Sequence, residues 1–181
     1  MIIGLVGQNC AGKDTAAAYL VSKGFERYSL SDYLRMELEK QGKEPTRENL
    51  IELGNKLRHE KGPGFLGEKA LEHMTPEGRN YVVVSIRNPA EAKALLKRKD
   101  FVLVAVDAPA RVRFERMKAR GREEDPQTFE EFLALENKEN AGGEKLSVNE
   151  TMRLADYTID ASGSIEEEEK EVEKLCLKLN I

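Results

Sequence analysis

The sequence predicts an α/β fold in which a mostly parallel sheet is packed between layers of helices, and three observations predict it. Four short runs, IIGLV (2–6), YVVVSI (81–86), FVLVAV (101–106) and YTID (157–160), are apolar without alternation, the pattern of strands covered on both faces. Helical patterns fill the intervals between them, as strand–helix–strand units require. The first run passes directly through a glycine-rich turn into a helix, in GLVGQNCAGKDTAAAYL (4–20).

In chain order, IIGLV is followed by a helical stretch, KDTAAAYLVSK, and then by a weaker strand, FERYSL (25–30). Residues 31–76 carry only helical patterns: SDYLRMELEKQ, TRENLIELGNKLRHE and GFLGEKALEHM. After YVVVSI, Asn88 and Pro89 read as the cap and first turn of a helix. Pro109 opens another helix after FVLVAV. Thr128 with Glu131, Ser147 with Glu150 and Ser164 with Glu167 have capping-box spacing. The last of these starts IEEEEKEVEKLCLKL, whose leading acids suit the positive end of the helix dipole.

The chain has 181 residues, a length that suits one domain with a substantial core. Hydrophobic residues are 40% and charged residues 34%, the net charge is −4 and the isoelectric point is about 5.5. That balance argues against a dedicated duplex-binding protein and predicts no nucleic-acid partner. Two cysteines, Cys10 and Cys176, lack metal-ligand spacing and predict a reducing compartment. With only His59 and His73, zinc chemistry is not expected. No run approaches the ~20 apolar residues of a membrane span, and MIIGLVG lacks a basic leader and cleavage site. The expectation is a soluble cytoplasmic protein, monomeric or homodimeric, without a membrane partner.

The chemistry concentrates at the first turn. Gly7, Gln8, Asn9, Cys10, Ala11, Gly12 and Lys13 form the pattern G-x-x-x-x-G-K, meaningful because a strand precedes it and a helix follows. Glycines let successive amides turn inward around phosphate oxygens, and the helix N-terminus adds partial positive charge. Lys13 reaches the outer phosphates. Asp14 stands where a Ser or Thr hydroxyl would meet Mg²⁺. An aspartate also offers magnesium a hard oxygen, and Thr15 supplies a hydroxyl one residue later.

Further candidates stand at strand ends and in the two insertions. Asp32, which ends YSLSD (28–32), reads as a general base, as a ligand of magnesium's water shell or as a helix cap, alone or with Ser31. Arg87 directly follows VVVSI, where a guanidinium can hold a phosphate bidentately. Arg35 and Arg58, in the first insertion, are candidates for an acceptor phosphate. In APARVRFERMKARGREEDP the arginines recur at near-helical spacing. Arg116, Arg120 and Arg122, around Gly121, read as a lid over residues 116–127 that closes on transferring phosphate. The bland alternative is a solvated face balanced by Glu123, Glu124 and Asp125. Asp107, ending FVLVAVD, reads either as a magnesium-site acid or as a cap.

Taken in order, GLVGQNCAGKDT, SLSDYLR, GNKLRHEKGPGFL, SIRNPAEAK, VDAPARVRFERMKARGRE and LADYTID resemble the P-loop nucleotide-kinase-like proteins. That set includes dephospho-CoA kinase-like and adenylate-kinase-related proteins, the kinase-like domain preceding some deoxycytidylate deaminases, and phage deoxynucleoside monophosphate kinases. The resemblance covers roughly residues 2–178. It implies a three-layer P-loop NTPase fold with a five-stranded parallel core, a helical acceptor-binding insertion and an Arg-rich lid. It also implies that the loop around Asp160 to Ser164, with Ser162 and Gly163, lies near the nucleotide base. One departure is plain: where relatives carry an acid after the middle strand, this chain has Val84-Ser85-Ile86-Arg87.

The expected function is ATP- and Mg²⁺-dependent phosphoryl transfer to a small phosphate-bearing acceptor, a nucleoside monophosphate or dephospho-CoA. The alternative is a nucleotide-binding sensor or regulatory NTPase, favoured by the missing acid. A GTPase is disfavoured, since NKEN (137–140) lacks the closing Asp of N-K-x-D. A polynucleotide-end kinase is disfavoured by the acidic balance and the absence of an aromatic-basic groove.

Overall fold

In the computed structural model, strand β1 (Ile2–Val6) takes the centre of the sheet because all five of its residues are buried. The described residues are 1–74, 78–122, 125–140 and 147–181, without the side chains of residues 47 and 139. Residues 75–76 of the first insertion and Glu123 and Glu124 of the expected lid therefore lie outside them.

The remaining strands are β2 (Glu26–Ser29), β3 (Tyr81–Val84), β4 (Phe101–Asp107) and β5 (Tyr157–Asp160). All neighbouring strands run parallel, in the order β2-β3-β1-β4-β5. The sheet is thus a doubly covered P-loop-type sheet, and the order reverses at β1. That reversal opens a crevice at the strands' carboxyl ends, where ligands of such sheets sit.

Successive side chains of each strand feed opposite layers. Ile3, Leu5, Val82, Val84, Val104, Val106 and Ile159 pack with Ala16, Ala17 and Leu20 of α1 (Lys13–Ser22) and with Val172, Leu175 and Cys176 of α9 (Ile165–Leu179). Ile2, Val6, Tyr81, Val83, Phe101, Leu103 and Ala105 face the other way. They meet α2 (Leu30–Lys40), α3 (Arg47–Lys61), α4 (Phe65–His73), α5 (Pro89–Leu95) and α8 (Val148–Met152). A smaller cluster, Phe114, Met117 and Phe132, joins α6 (Ala110–Arg120) to α7 (Phe129–Asn140).

The capping signals act as local chemistry predicts. Asn88 with Glu91 and Ser164 with Glu167 make reciprocal capping boxes. Thr128 accepts from the Glu131 amide while Glu131 accepts from that of Thr128. Ser147 accepts from the Glu150 amide. Two expectations shift. The middle strand stops at Val84 rather than 86, because Ser85 turns left-handed at φ 65°, a conformation outside the strand region. Helix α2 begins at Leu30, capped by Ser29 rather than by Ser31 or Asp32, because β2 leads into it without a linker. No helix of the described residues is long and apolar enough to cross a membrane.

Candidate active site

The turn between β1 and α1 is held in a narrow conformation by its glycines. A Cβ on Gly7 would stand 2.2 Å from the Val106 carbonyl oxygen, so β4 approaches the loop backbone closely. Gly12 has φ 113°, a value L side chains avoid. Between them Cys10 also has positive φ, at 59°. Lys13 folds back over the loop, its Nζ donating to the carbonyls of Gly7 at 2.8 Å and Gln8 at 2.7 Å. Burial, then the nearby Arg87 guanidinium, lowers the Lys13 pKa to about 8. An ammonium so desolvated beside a second cation gains most when an anion arrives.

Two arginines of α6 brace this loop from behind. Arg116 donates from Nη1 to the Ala11 carbonyl (3.3 Å) and from Nη2 to those of Ala161 (2.7 Å) and Gly163 (2.9 Å). It ties the phosphate loop to the turn after β5 that contains Ser162 and Gly163. Arg113, buried, donates to the carbonyls of Ala108 and Asn9 and makes a bidentate pair with Glu136 of α7. Glu168 of α9, 2% exposed, lies against Gly12. Its Oε1 has no hydrogen-bond partner among the described residues. Burial pushes its carboxyl up to about 7 despite the Arg116 charge nearby.

In front of the loop is a cavity of about 330 Å³. It is lined by residues that follow the carboxyl ends of β1, β2 and β3, namely Asn9, Ser31, Ser85 and Arg87, and by Arg35, Arg58, Arg120 and Arg122. Leu30, Leu34, Leu50, Ile51 and Phe132 supply apolar wall. The arginines differ in freedom. Arg58 is locked by Glu91, which accepts from its Nε at 2.9 Å and Nη2 at 2.8 Å and also takes the amides of Arg87 and Asn88. Arg120 pairs with Asp125 at 2.6 Å. The exposed Arg87 side chain pairs with no carboxylate of the described residues, while its backbone is pinned by Glu91 and by the Ser147 amide. Exposed Arg35 is 3.9 Å from Asp32.

The sequence candidates therefore divide. Residues 7–13 form one loop; Arg35, Arg58, Arg87, Arg120 and Arg122 line one cavity with Asn9. Arg116, at the start of the expected lid, lies within α6 and turns toward the loop. Asp32 is exposed and outside the cavity lining. Asp14 is almost fully exposed in the first turn of α1, 3.9 Å from Arg27, and Thr15 follows it half-buried. Ser162 lines a separate open hollow with Asp107 and Asp160. Asp107 does not cap α6, whose cap position is Pro109.

Several residues escaped sequence reasoning. Glu168 is hidden within a run of four glutamates, yet its i, i+4 relation to Val172 marks the buried face. Glu91 carried a signal, three residues after a helix cap. Asn149 carried none: its partner Gln8 is 141 residues away.

A strand, a phosphate-loop turn, a helix and an arginine-lined crevice at a parallel sheet's switch point define a P-loop kinase-like protein. Residues 3–141 match the family model of an AAA domain. The chain belongs to the UPF0200 family. It is 35% identical to the UPF0200 protein of Thermococcus kodakarensis, over 97% of this chain and 96% of that one. It is 34% identical to that of Hyperthermus butylicus, over 99% and 95%. The fold is similar to TT1252 from Thermus thermophilus (TM-score 0.61, 23% identity, 99% and 97% covered). It is also similar to shikimate kinase from Aquifex aeolicus (TM-score 0.58, 19% identity, 99% and 96% covered).

Proposed function

We propose that this protein transfers the terminal phosphoryl group of ATP to a small phosphate-bearing acceptor, a nucleoside monophosphate or dephospho-CoA. The observation that carries the reading is the juxtaposition of the Lys13 loop with a cavity lined by five arginines, Arg35, Arg58, Arg87, Arg120 and Arg122. One side suits a polyphosphate and the other a second anion, and the two meet at Asn9 and Arg87.

Loop amides from Gln8 to Lys13 would cradle the donor's phosphates, with Lys13 leaving its carbonyl contacts to follow the outer phosphate charge. The turn at Ser162 and Gly163 would border the base. Arg87 and Arg35 would hold the acceptor phosphate, with Arg58, kept rigid by Glu91, behind them. Arg120 and Arg122, beside the left-handed Gly121, would close on the transferring group, exclude water and neutralise its charge. Catalysis of this kind is mostly positioning and electrostatics.

Magnesium fits the donor set: Asp14 and Thr15 present hard oxygens at the start of α1, directly or through water, and the donor's phosphates supply the rest. The ion would neutralise charge on those phosphates. Among the described residues no group of three acidic, His or Cys side chains would hold a metal without them.

One observation favours the second reading, a nucleotide sensor or regulatory NTPase. At position 84, where the proteins this chain resembles carry an acid, it has the buried Val84, and the next residue, Ser85, shares a 2.9 Å hydrogen bond with Ser29. The experiment is a panel of AMP, CMP, UMP, deoxynucleoside monophosphates and dephospho-CoA with ATP and Mg²⁺, following product and background hydrolysis separately. Transfer to a panel member supports the kinase; hydrolysis that ignores every acceptor supports the sensor.

A further inference from the structure

Behind the phosphate loop runs a ring of hydrogen bonds that leaves the loop at one residue and returns at the next. Gln8, only 6% exposed, donates from Nε2 to Oδ1 of Asn149 on α8 at 2.6 Å. The Asn149 amide donates to Oδ1 of Asn140 at 3.2 Å, and Asn140 Nδ2 to the Glu136 carbonyl at 2.9 Å. The Glu136 carboxylate holds Arg113, whose Nη1 reaches the Asn9 carbonyl at 3.5 Å. The same helix α8 is tied to the acceptor side, because the amide of its cap Ser147 donates to the Arg87 carbonyl at 3.1 Å.

From this geometry we propose that Asn149 is a positioning residue of the phosphate loop. It fixes the Gln8 side chain, and through it the Gln8 backbone whose carbonyl receives Lys13 Nζ. A loop whose amides must converge on phosphate loses affinity when one of its residues is free to rotate. The Gln8 amide is buried, so removing its acceptor leaves it an unsatisfied donor and drives it to move. Asn149 itself is exposed, so an apolar replacement there leaves the core intact. Its effect is transmitted by Gln8 rather than by touching a substrate. The proposal rests on the reading that this loop binds polyphosphate, but loop geometry has a readout of its own. Cys10 lies within the loop and is half-exposed, while Cys176 is buried in the core.

The test compares wild type with Asn149→Leu, which removes the acceptor oxygen, and Asn149→Asp, which keeps one. Dissociation constants for ADP with Mg²⁺ are measured together with the rate of iodoacetamide labelling at Cys10, using Cys176 as internal reference. The expected result is ADP binding weakened about five- to tenfold in Asn149→Leu, Cys10 labelling changed at least twofold, and both restored in Asn149→Asp. Equal thermal midpoints for the three proteins separate positioning from loss of fold. Unchanged Cys10 labelling and ADP binding in Asn149→Leu overturns the proposal. So does Asn149→Asp behaving as Leu does. If wild type binds no ADP, the polyphosphate reading fails, and Cys10 labelling still decides whether Asn149 positions the loop.

Discussion

The Glu168 carboxylate rests directly on the backbone of Gly12: a Cβ at Gly12 would stand 2.4 Å from Oε2 and 2.5 Å from Oε1. The glycine at the head of α1 is therefore required twice, by its φ of 113° and by the acid behind it. Gly12→Ala has to displace Glu168 and adopt a strained backbone, a cost of about 1–3 kcal/mol from the dihedral alone. We expect a fall in denaturation midpoint of several degrees together with at least tenfold weaker ADP binding. An alanine variant matching wild type in both would mean that the loop relaxes without consequence.

Glu168 also makes stability depend on pH in a defined direction. Burial raises its pKa from the usual 4.5 to about 7, so the folded state keeps its proton where the unfolded chain has released it. The sign follows from linkage: this group's contribution falls as pH rises from about 4.5 to 7 and stays low above that range. Glu168→Gln, neutral throughout, should gain on wild type as pH rises, with the larger advantage at pH ~8 than at pH ~5. Thermal unfolding of both proteins across that range checks it; parallel profiles would place the carboxyl in a solvated setting.

Glu91 is the anchor of the arginine-lined cavity. It is fully buried and holds Arg58 as well as the amides of Arg87 and Asn88. Removing one partner of a buried ion pair leaves the other charge uncompensated, at about 3–5 kcal/mol. Glu91→Ala is expected to unfold at markedly lower denaturant, whereas Arg87→Ala, at an exposed side chain, should leave the unfolding free energy within about 0.5 kcal/mol of wild type. Equal destabilisation by the two would contradict this division between anchor and ligand-facing cation.

Arg87 and Arg35 should act on the acceptor. Alanine at either position is expected to raise the acceptor's KM about tenfold or more, the scale of one charge-assisted hydrogen bond lost, with ADP affinity changed much less. Steady-state kinetics at saturating ATP reads this for whichever acceptor the panel identifies. A change confined to ATP affinity would move both arginines to the donor side.

The sheet was legible because its strands are buried on both faces. Ile2–Val6 and Phe101–Asp107 need apolar residues at every position, and that leaves a continuous signal. The caps at Asn88, Ser147 and Ser164 were legible for a similar reason: each involves residues three or fewer positions apart. The phosphate loop could be read because one turn holds all of it. What could not be read depends on long separations. Arg58 and Glu91 meet across 33 residues, Gln8 and Asn149 across 141. Nothing local tells a glutamate facing solvent from Glu91 facing a guanidinium. Arg116 shows the same limit: its charge and helical spacing suit a lid, but its guanidinium is occupied by three carbonyls, of Ala11 in the loop after β1 and of Ala161 and Gly163 in the turn after β5.

The central claim is that main-chain amides of residues 8–15 bind polyphosphate beside Lys13. Titrating ADP and Mg²⁺ into ¹⁵N-labelled protein and mapping amide shifts tests it most directly. The account predicts the largest shifts at residues 8–15 and at 161–164, and their loss or at least tenfold weakening in Lys13→Ala. Saturable shifts confined to other surfaces, indifferent to Lys13→Ala, would contradict it.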